Sequence, residues 1–301
     1  MTTGAPSVVD HGAHSRFSDP GPYAPLLDGV VPDLAVVGEV ARNVVIHYRA
    51  SGEDLPVETA GEIGSRWVSA ILGHDQERHP EPLSVPRTPT TRVQGCCRDF
   101  ALVSVAILRQ HGVPARSRIG FAGYFVPRWH HDHVVPEVWD DGRWRRFEPE
   151  VAERSEGIPD PLDLDTGEGA GFETAAEVWR AHRAGRIDVE RYGVDESVPD
   201  VRGAWMVRNY VVQEVAHRFG DEMLLWDDWG MCGGPGTQDD EVAYVDEVAA
   251  LLVAADAGDL EAEQRLLDLY RRDDRLHPGM RVRSLSPLDG SRTWVDLTSS
   301  V

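Results

Sequence analysis

Lysine is absent from this chain of 301 residues, and all 30 basic side chains are arginine. The chain therefore cannot supply a lysine amine to its own active site, although GC-rich codon usage is the simplest reason for the bias. Positive charge is scarce as well, because 51 acidic residues outweigh the arginines and leave a formal charge of -21. Nucleic-acid binding depends on clustered positive charge, so we expect no nucleic-acid partner.

Cysteine, long apolar runs and targeting signals are equally scarce. Three cysteines are too few for a disulfide framework and leave one thiol unpaired in any case, which favours a reducing compartment. No apolar run is long enough to span a membrane, and the first residues lack the basic and apolar regions of a secretion signal. The sequence therefore predicts a soluble, cytoplasmic protein without a membrane partner.

Composition and periodicity divide the chain into four parts. Residues 1–22 are rich in glycine, proline, serine and histidine without apolar periodicity, and we expect a disordered tail there. Residues 23–152 mix helical and strand patterns, whereas 153–275 begin with an acidic, proline- and glycine-rich linker and are then mostly helical. Residues 276–301 are expected to form a C-terminal tail. The predicted fold class is α+β, with a helical C-terminal extension packed on the core.

Apolar spacing predicts the individual helices and strands. The expected helices cover residues 34–48, 58–72, 100–110, 174–184, 204–219, 242–255 and 260–273. A strand is expected over 115–124, followed by a loop over 126–132.

A tight hairpin is indicated by the Asp141-Gly142 pair between the strand-like residues 133–140 and 143–148. In the register that a two-residue turn imposes, His133 and Glu148 fall on the same face as diagonal cross-strand neighbours. A glutamate stem can cover the distance to an imidazole in that position. A single β-bulge would separate the two side chains.

Cys97 stands just ahead of the helical run over 100–110. Unpaired backbone N–H groups and the helix dipole at a helix start favour the thiolate, which is the nucleophilic form of cysteine. With His133 and Glu148 later in the chain, the sequence offers the minimum set for thiol-dependent acyl transfer. The alternative is that Cys97 is a small buried apolar residue, as free cysteines often are.

Three short motifs follow one another between residues 90 and 150. Gly-x-Cys-x-Asp-x-Ala at 95–101 precedes Gly-Val-Pro-Ala-Arg at 112–116, His-x-x-x-Glu-Val lies at 133–138, and Trp-x-x-x-Glu-Pro lies at 144–149. Together they resemble the transglutaminase-like superfamily, which is related in architecture to the papain-like cysteine proteases. Further runs at residues 120–125, 177–179 and 226–230 are similar to a subgroup of stand-alone actinobacterial transglutaminase-like proteins.

The resemblance implies that Cys97 is the nucleophile, that His133 is the general base and that Glu148 orients the imidazole. It also implies a transglutaminase-like, papain-like core, in which the cysteine helix packs on an antiparallel sheet, and neither a metal nor an organic cofactor. Glu148 stands where the family usually has aspartate, and Val135 stands where it usually has an aromatic residue. Pro136 would remove a donor from the strand, which suggests an edge or a bulge.

The histidine tract has a second interpretation, because His130 and His131 stand close to His133 and the three could bind a metal. Adjacent side chains on a strand point apart, and no CxxC or HExxH pattern supports zinc, so we expect no metal ligand. Cys96 is expected to pack in the core, and Cys232 is expected to be structural.

Oxyanion and substrate contacts are less clearly indicated. The backbone N–H of Cys97 is the better candidate oxyanion donor, and the side chain of Gln94 is a second one. Asp99 is expected to brace the start of the helix. The candidate substrate-binding residues could equally belong to the core: they are Trp129, Trp205, Arg208, Asn209 and Trp226.

The sequence therefore predicts a cytoplasmic transglutaminase-like cysteine acyltransferase, amidohydrolase or peptidase. It would act through a thioacyl intermediate, on a small-molecule or peptide substrate. The alternative is a catalytically silent transglutaminase-like fold used for binding or assembly. The residues do not decide between transfer and hydrolysis, and they indicate no oligomeric state.

Overall fold

A buried helix packed against an antiparallel sheet organises the fold, which the computed structural model describes for residues 5–154, 158, 160–234 and 239–298. The helix is α4 (Cys97–Gln110), and its side chains are buried from Cys97 to Arg109. A helix that is buried on every face belongs in the interior of a domain. The predicted α+β class is confirmed.

The remaining elements surround α4 and the main sheet. The other α-helices are α1 (Ala24–Asp28), α2 (Leu34–Val44), α3 (Val68–Arg78), α5 (Ala175–Arg183), α6 (Ala204–Arg218), α7 (Asp239–Asp256) and α8 (Leu260–Arg272). The strands are β1 (Val45–His47), β2 (Val93–Gly95), β3 (Ala115–Val126), β4 (Trp129–Asp140), β5 (Arg143–Arg146), β6 (Phe172–Thr174), β7 (Tyr192–Gly193), β8 (Asp227–Asp228), β9 (Arg281–Leu285) and β10 (Arg292–Asp296). Short 3-10 helices cover Gly21–Tyr23, Val57–Gly64, Pro89–Thr91 and Val189–Arg191.

The main sheet has the order β5-β4-β3-β6 with antiparallel neighbours, and β7 pairs in parallel with β4. α4 packs on β3 and β4, and α6 packs on β3. β1 and β2 form a separate parallel pair that carries the chain into α4. The sheet thus places β4, which carries His133, beside the helix that begins with Cys97.

The hairpin between β4 and β5 has the predicted turn. Asp141 and Gly142 have φ values of 48° and 79°, and Asp140 pairs with Arg143 across them. Two consecutive residues with positive φ give the turn whose twist matches that of the flanking strands. β5 ends at Arg146, earlier than predicted, so Glu148 lies beyond the regular ladder.

Two predicted helices near the N-terminus have different bounds. The helix expected over 34–48 ends at Val44, because the β-branched residues that follow form β1. The helix expected over 58–72 is a 3-10 helix over Val57–Gly64 followed by α3, which continues to Arg78. Gly61 and Gly64 make an α-helix costly in the first of these segments.

The predicted disordered tail over residues 1–22 is not what the structure shows for residues 5–22. Phe17 is completely buried and stacks on Trp67, with ring centroids 6.2 Å apart. The hydroxyl of Ser15 donates to Glu222 at 2.6 Å, and Arg16 pairs with Asp221 at 2.6 Å. A few anchoring side chains hold this segment, and they leave no periodic pattern in the sequence.

The C-terminal part also contains more structure than a tail. The strands β9 and β10 form a hairpin, and β9 pairs with β8. The four helices predicted beyond residue 153 are present as α5, α6, α7 and α8, and Asp259 caps α8 by accepting from the N–H groups of Glu261 and Ala262. Among the described residues, none of these helices combines the length and the apolar composition that crossing a bilayer requires.

A buried ionic cluster joins the sheet to the C-terminal helices. Glu137, from the histidine motif, accepts hydrogen bonds from Arg116, Arg118 and Arg146 at 2.6–3.0 Å. Burial opposes its ionisation, but these guanidinium groups hold the pKa of Glu137 well below its ordinary value. Arg118 also pairs with Asp256 at the end of α7, at 2.6 Å. The motif residues Arg116 and Glu137 therefore serve the fold.

Candidate active site

Cys97 is the first residue of α4, and local hydrogen bonds fix the start of that helix. The N–H of Cys96 donates to the carboxylate of Asp99 at 2.8 Å, and Arg98 pairs with Asp99 at 2.9 Å. Asp99 thus braces the helix start. Backbone N–H groups of the first turn have no acceptor within the helix, so the N–H of Cys97 is available to an oxyanion near the sulfur.

The imidazole of His133 is held by Glu148. Nε2 of His133 and Oε2 of Glu148 are 2.8 Å apart, and both side chains are buried. The same carboxylate accepts a hydrogen bond from the hydroxyl of Tyr124 and, at 3.0 Å, one from the N–H of Glu150. Because Nε2 is engaged by Glu148, Nδ1 remains for exchange of a proton with a neighbouring group.

Cys97 lies beside that imidazole. The sulfur of Cys97, one ring nitrogen of His133 and a carboxylate oxygen of Glu150 all lie within 4.8 Å of one another. The structure thus brings together Cys97, His133 and Glu148, the three residues that the sequence indicated. It adds Glu150, which the sequence did not indicate.

The electrostatics of the thiol differ from the prediction. The helix start was expected to lower the pKa of Cys97, but the structure raises that pKa well above its ordinary value. The causes are a hydrogen bond with the side chain of Cys96, burial of the sulfur, and the negative charges of Glu150 and Asp132. The neighbouring thiol of Cys96, burial and the nearby carboxylates therefore outweigh the effect of the helix start.

The pKa values of His133 and Glu148 shift in the directions that an ion pair produces. Burial alone would lower the pKa of His133, but the charge and hydrogen bond of Glu148 raise it above its ordinary value. Burial alone would raise the pKa of Glu148, but His133 and the Tyr124 hydroxyl lower it. Glu148 therefore makes His133 a stronger base towards the thiol.

Glu150 is the functional candidate that sequence reasoning missed. Its Oε1 is shielded from solvent and has no hydrogen-bond partner among the described residues. Burial raises the pKa of Glu150 to about 8, with Glu148 and Asp99 adding to the effect and His133 opposing it. Its only signal in the sequence is a carboxylate two residues after Glu148, directly after the last motif.

Aromatic and acidic residues surround the approach to the sulfur. Cys97 is only 5% exposed, whereas Phe125 is 41% exposed and its ring centroid lies 5.2 Å from that of His133. Asp132 accepts a hydrogen bond from the hydroxyl of Tyr210 at 2.6 Å. The charge of Asp132 also raises the pKa of Cys97.

The structure does not support an oxyanion role for the Gln94 side chain. Its amide Nε2 donates to the carbonyl of Pro56 at 2.7 Å and to the hydroxyl of Thr59 at 2.8 Å. Both donor hydrogens therefore hold the Val57–Gly64 segment in place. The backbone N–H of Cys97 remains the candidate donor.

The predicted substrate-binding residues are not brought together. Arg208 and Asn209 both donate to the carbonyl of Gly233, so they anchor a loop. In the same loop, the buried thiol of Cys232 donates to the carbonyl of Asn209. Trp205 packs on the main core. Arg208 and Asn209, the polar residues near Trp205 in the same helix, therefore have a structural role.

The other two tryptophans lie nearer to the site. Trp226 contacts Tyr48 edge-on, with ring centroids 6.5 Å apart. Burial raises the pKa of Tyr48 to about 12, against the effect of Arg49, and Cys96 and Cys97 add to that rise. The backbone N–H of Tyr48 donates to the carbonyl of Gly95 at 2.9 Å, close to both cysteines in the chain. Trp129 is buried and meets the ring of His131 edge-on at 6.3 Å.

The histidine tract does not form a metal cluster. His130 stacks on Tyr192 with ring centroids 4.1 Å apart, and Nδ1 of His131 lies 2.8 Å from the carbonyl of Val194. Both rings thus face β7 and its following loop. Within the described parts of the chain, Cys97, His133 and Glu150 are the one set of three side chains whose ligand atoms converge closely enough for a metal ion.

A family model matches the part of the chain that carries the candidate residues. Residues 47–149 match the model of the Transglutaminase-like superfamily, and this range contains Cys97, His133 and Glu148. No curated protein sequence matched the chain. A crystal structure of a "Putative Cysteine Protease from Cytophaga hutchinsonii" is similar at 17% identity and a TM-score of 0.32, and the alignment covers 47% of this chain and 41% of that one.

At that TM-score the two chains share too little of their shape for the likeness to bear on the fold. The chain spans less than half the length of that protein. The similarity to that crystal structure is not needed for the family match, for the order of the motifs or for the contact of His133 with Glu148. Residues 47–149 of this chain therefore match the transglutaminase-like superfamily.

Proposed function

We propose that the protein is a cysteine-dependent acyltransferase or amide hydrolase in which Cys97 is the nucleophile. The observation that supports this most directly is the position of the His133 ring. One of its nitrogens binds Glu148 at 2.8 Å, and the ring lies beside the sulfur of Cys97. A nucleophile, a base and a group that orients the base are the parts that such catalysis requires.

The reaction follows from these contacts. The thiol of Cys97 gives its proton to Nδ1 of His133 as the sulfur attacks the carbonyl carbon of an amide or a thioester. His133 then returns the proton to the leaving amine or thiol, and a thioacyl enzyme remains on Cys97. Water or an amine attacks that carbonyl, and the sulfur leaves as the thiol.

The raised pKa of Cys97 affects the order of these events. A buried thiol among carboxylates is mostly protonated at rest, so deprotonation accompanies attack on the substrate. The raised pKa of His133 partly offsets this cost, because a more basic imidazole accepts the proton more readily. Glu148 therefore acts on the rate through His133.

The narrow approach to Cys97 supports a small or peptidic substrate. Cys97 is only 5% exposed and lies beside an imidazole that the rings of Tyr124 and Phe125 contact, so a slender acyl group would reach it more easily than the side of a folded protein. The excess of acidic residues supports an enzyme without a nucleic-acid partner, and we place it in the cytoplasm.

Alkylation kinetics test this proposal. Iodoacetamide should modify Cys97 faster than Cys96 or Cys232, as measured by peptide mass spectrometry, and His133→Ala should slow the modification of Cys97 alone. Intact-mass spectrometry with pooled cell metabolites should then show an adduct that Cys97→Ala abolishes. Equal, slow alkylation of all three thiols would instead support a catalytically silent fold used for binding or assembly.

A further inference from the structure

Three different kinds of metal ligand meet beside the helix start. The sulfur of Cys97, a ring nitrogen of His133 and a carboxylate oxygen of Glu150 lie within 4.8 Å of one another. Cysteine and histidine are sufficient for the proposed chemistry, and Glu150 has no part in it. We propose that Zn²⁺ binds these three residues and reversibly inhibits the thiol. The inhibition rests on the proposed function, whereas the binding does not.

The geometry is close to that of a zinc site. Zinc binds sulfur at about 2.3 Å and nitrogen or oxygen at about 2.0–2.2 Å, so tetrahedral ligand atoms are about 3.3–3.8 Å apart. The most widely separated atoms here must therefore approach by about 1–1.5 Å. The glutamate can supply that movement, because Glu150 is only partly buried and its Oε1 gives up no hydrogen bond.

The surroundings of the histidine also suit a metal. A histidine that binds zinc usually donates its other ring N–H to a carboxylate, which fixes the tautomer and the direction of the ring. Glu148 takes that position at 2.8 Å from Nε2 of His133. Glu148 is itself held by the hydroxyl of Tyr124 and the N–H of Glu150, so the ring is oriented before any ion arrives.

Charge favours a dication at this place. The carboxylates of Glu150 and Asp132 lie close enough to act on the sulfur of Cys97. The nearby guanidinium of Arg98 is already engaged by Asp99 at 2.9 Å. A bound dication would be attracted by the carboxylate of Asp132, and it would favour the ionised form of Glu150 as a ligand.

The mixture of donors indicates which ion fits. Thiolate and imidazole favour zinc, whereas magnesium and calcium prefer sites made of oxygen atoms alone. On binding, the ion displaces the thiol proton into solvent and bonds to the sulfur. It occupies both the attacking lone pair of Cys97 and the ring nitrogen that would accept its proton, so the enzyme cannot acylate until the ion leaves.

Cobalt substitution measures the site without any substrate. One equivalent of Co²⁺ should produce a sulfur-to-cobalt charge-transfer band, and Zn²⁺ should displace it. Cys97→Ala should abolish the band. Glu150→Gln should weaken Zn²⁺ binding at least tenfold in competition with a chromophoric chelator, whereas Glu153→Gln, an exposed carboxylate three residues later, should leave it unchanged.

Weaker zinc binding by the Glu150→Gln variant would not reflect loss of the fold. The substitution replaces a shielded carboxyl oxygen that has no hydrogen-bond partner, so the variant should unfold no more easily than wild type. The proposal is overturned if Co²⁺ gives no sulfur band, or if Glu150→Gln binds zinc as tightly as wild type.

Alkylation separates this proposal from the proposed function. If Cys97 alone is reactive and Zn²⁺ does not protect it, the metal site is wrong and the nucleophile stands. If Zn²⁺ binds with the sulfur band but Cys97 is no more reactive than the other thiols, the metal site stands and the proposed function is wrong. If Zn²⁺ protects Cys97 and a chelator restores the reaction, both are supported.

Discussion

Replacing Glu148 with glutamine tests whether the carboxylate sets the reactivity of the thiol. The oxygen that becomes the amide nitrogen is either Oε1, which accepts from the N–H of Glu150, or Oε2, which binds His133 at 2.8 Å. Glutamine keeps the size of the side chain and removes its charge. His133 then loses the partner that raises its pKa, and the tautomer with a proton on Nε2 is no longer enforced.

The size of the effect follows from the burial of the pair. A hydrogen bond to a charged group contributes about 1.5–3 kcal/mol, and each 1.4 kcal/mol is a factor of ten in rate. The pair of His133 and Glu148 is fully buried, so solvent does not screen it. We therefore expect Glu148→Gln to slow alkylation of Cys97 by about 10- to 100-fold.

The assay is the second-order rate of iodoacetamide modification of Cys97, followed by peptide mass spectrometry at fixed pH. Glu148→Asp is the matched control, because it keeps the charge and shortens the stem by one methylene; its rate should lie between those of wild type and Glu148→Gln. A Glu148→Gln enzyme that reacts at the wild-type rate would show that the carboxylate does not act through His133.

Three further predictions concern stability and pH. Glu137→Gln removes the carboxylate that Arg116, Arg118 and Arg146 share and should lower the free energy of unfolding by about 3–5 kcal/mol, measured with urea. An unchanged midpoint would contradict the buried cluster. Gly120→Ala should destabilise by about 1–3 kcal/mol or more, because an added Cβ would lie 2.0 Å from the carbonyl oxygen of Glu173; a wild-type melting temperature would refute it. Burial lowers the pKa of His217 to about 4, so the unfolded chain binds a proton that the fold excludes. The free energy of unfolding should therefore fall between pH 6.5 and 4, by about 3 kcal/mol from this group, and His217→Gln should reduce that fall, whereas an equal slope in both proteins would not fit.

Local signals in the sequence predicted the hairpin that brings His133 and Glu148 together. The Asp141-Gly142 turn fixed the register of its hairpin, and the side chains of His133 and Glu148 did fall on one side. The pairing survives beyond the end of β5, because the N–H of Phe147 still donates to the carbonyl of Pro136 at 3.1 Å. Glu148 is the next residue, and its side chain reaches His133 at 2.8 Å.

Errors occurred where distant parts of the chain decide the outcome. The pKa of Cys97 is raised first by the adjacent Cys96, and then by burial and by Glu150 and Asp132, which no local pattern connects to the helix start. Gln94 was a reasonable oxyanion donor by chain position, but its amide is taken by Pro56 and Thr59, more than thirty residues earlier. Such contacts leave no periodicity to detect.

The buried cluster around Glu137 has a consequence for any attempt to shorten the protein. Arg118 reaches Glu137 on the sheet and Glu214 and Asp256 on the C-terminal helices. A fragment ending near residue 152 would keep all the residues that match the family. The guanidinium of Arg118 would lose Glu214 and Asp256 and would keep only Glu137 of these three, which it shares with two other arginines. We therefore expect such a fragment to be unstable, because the sheet that carries His133 is tied to helices outside the matched range.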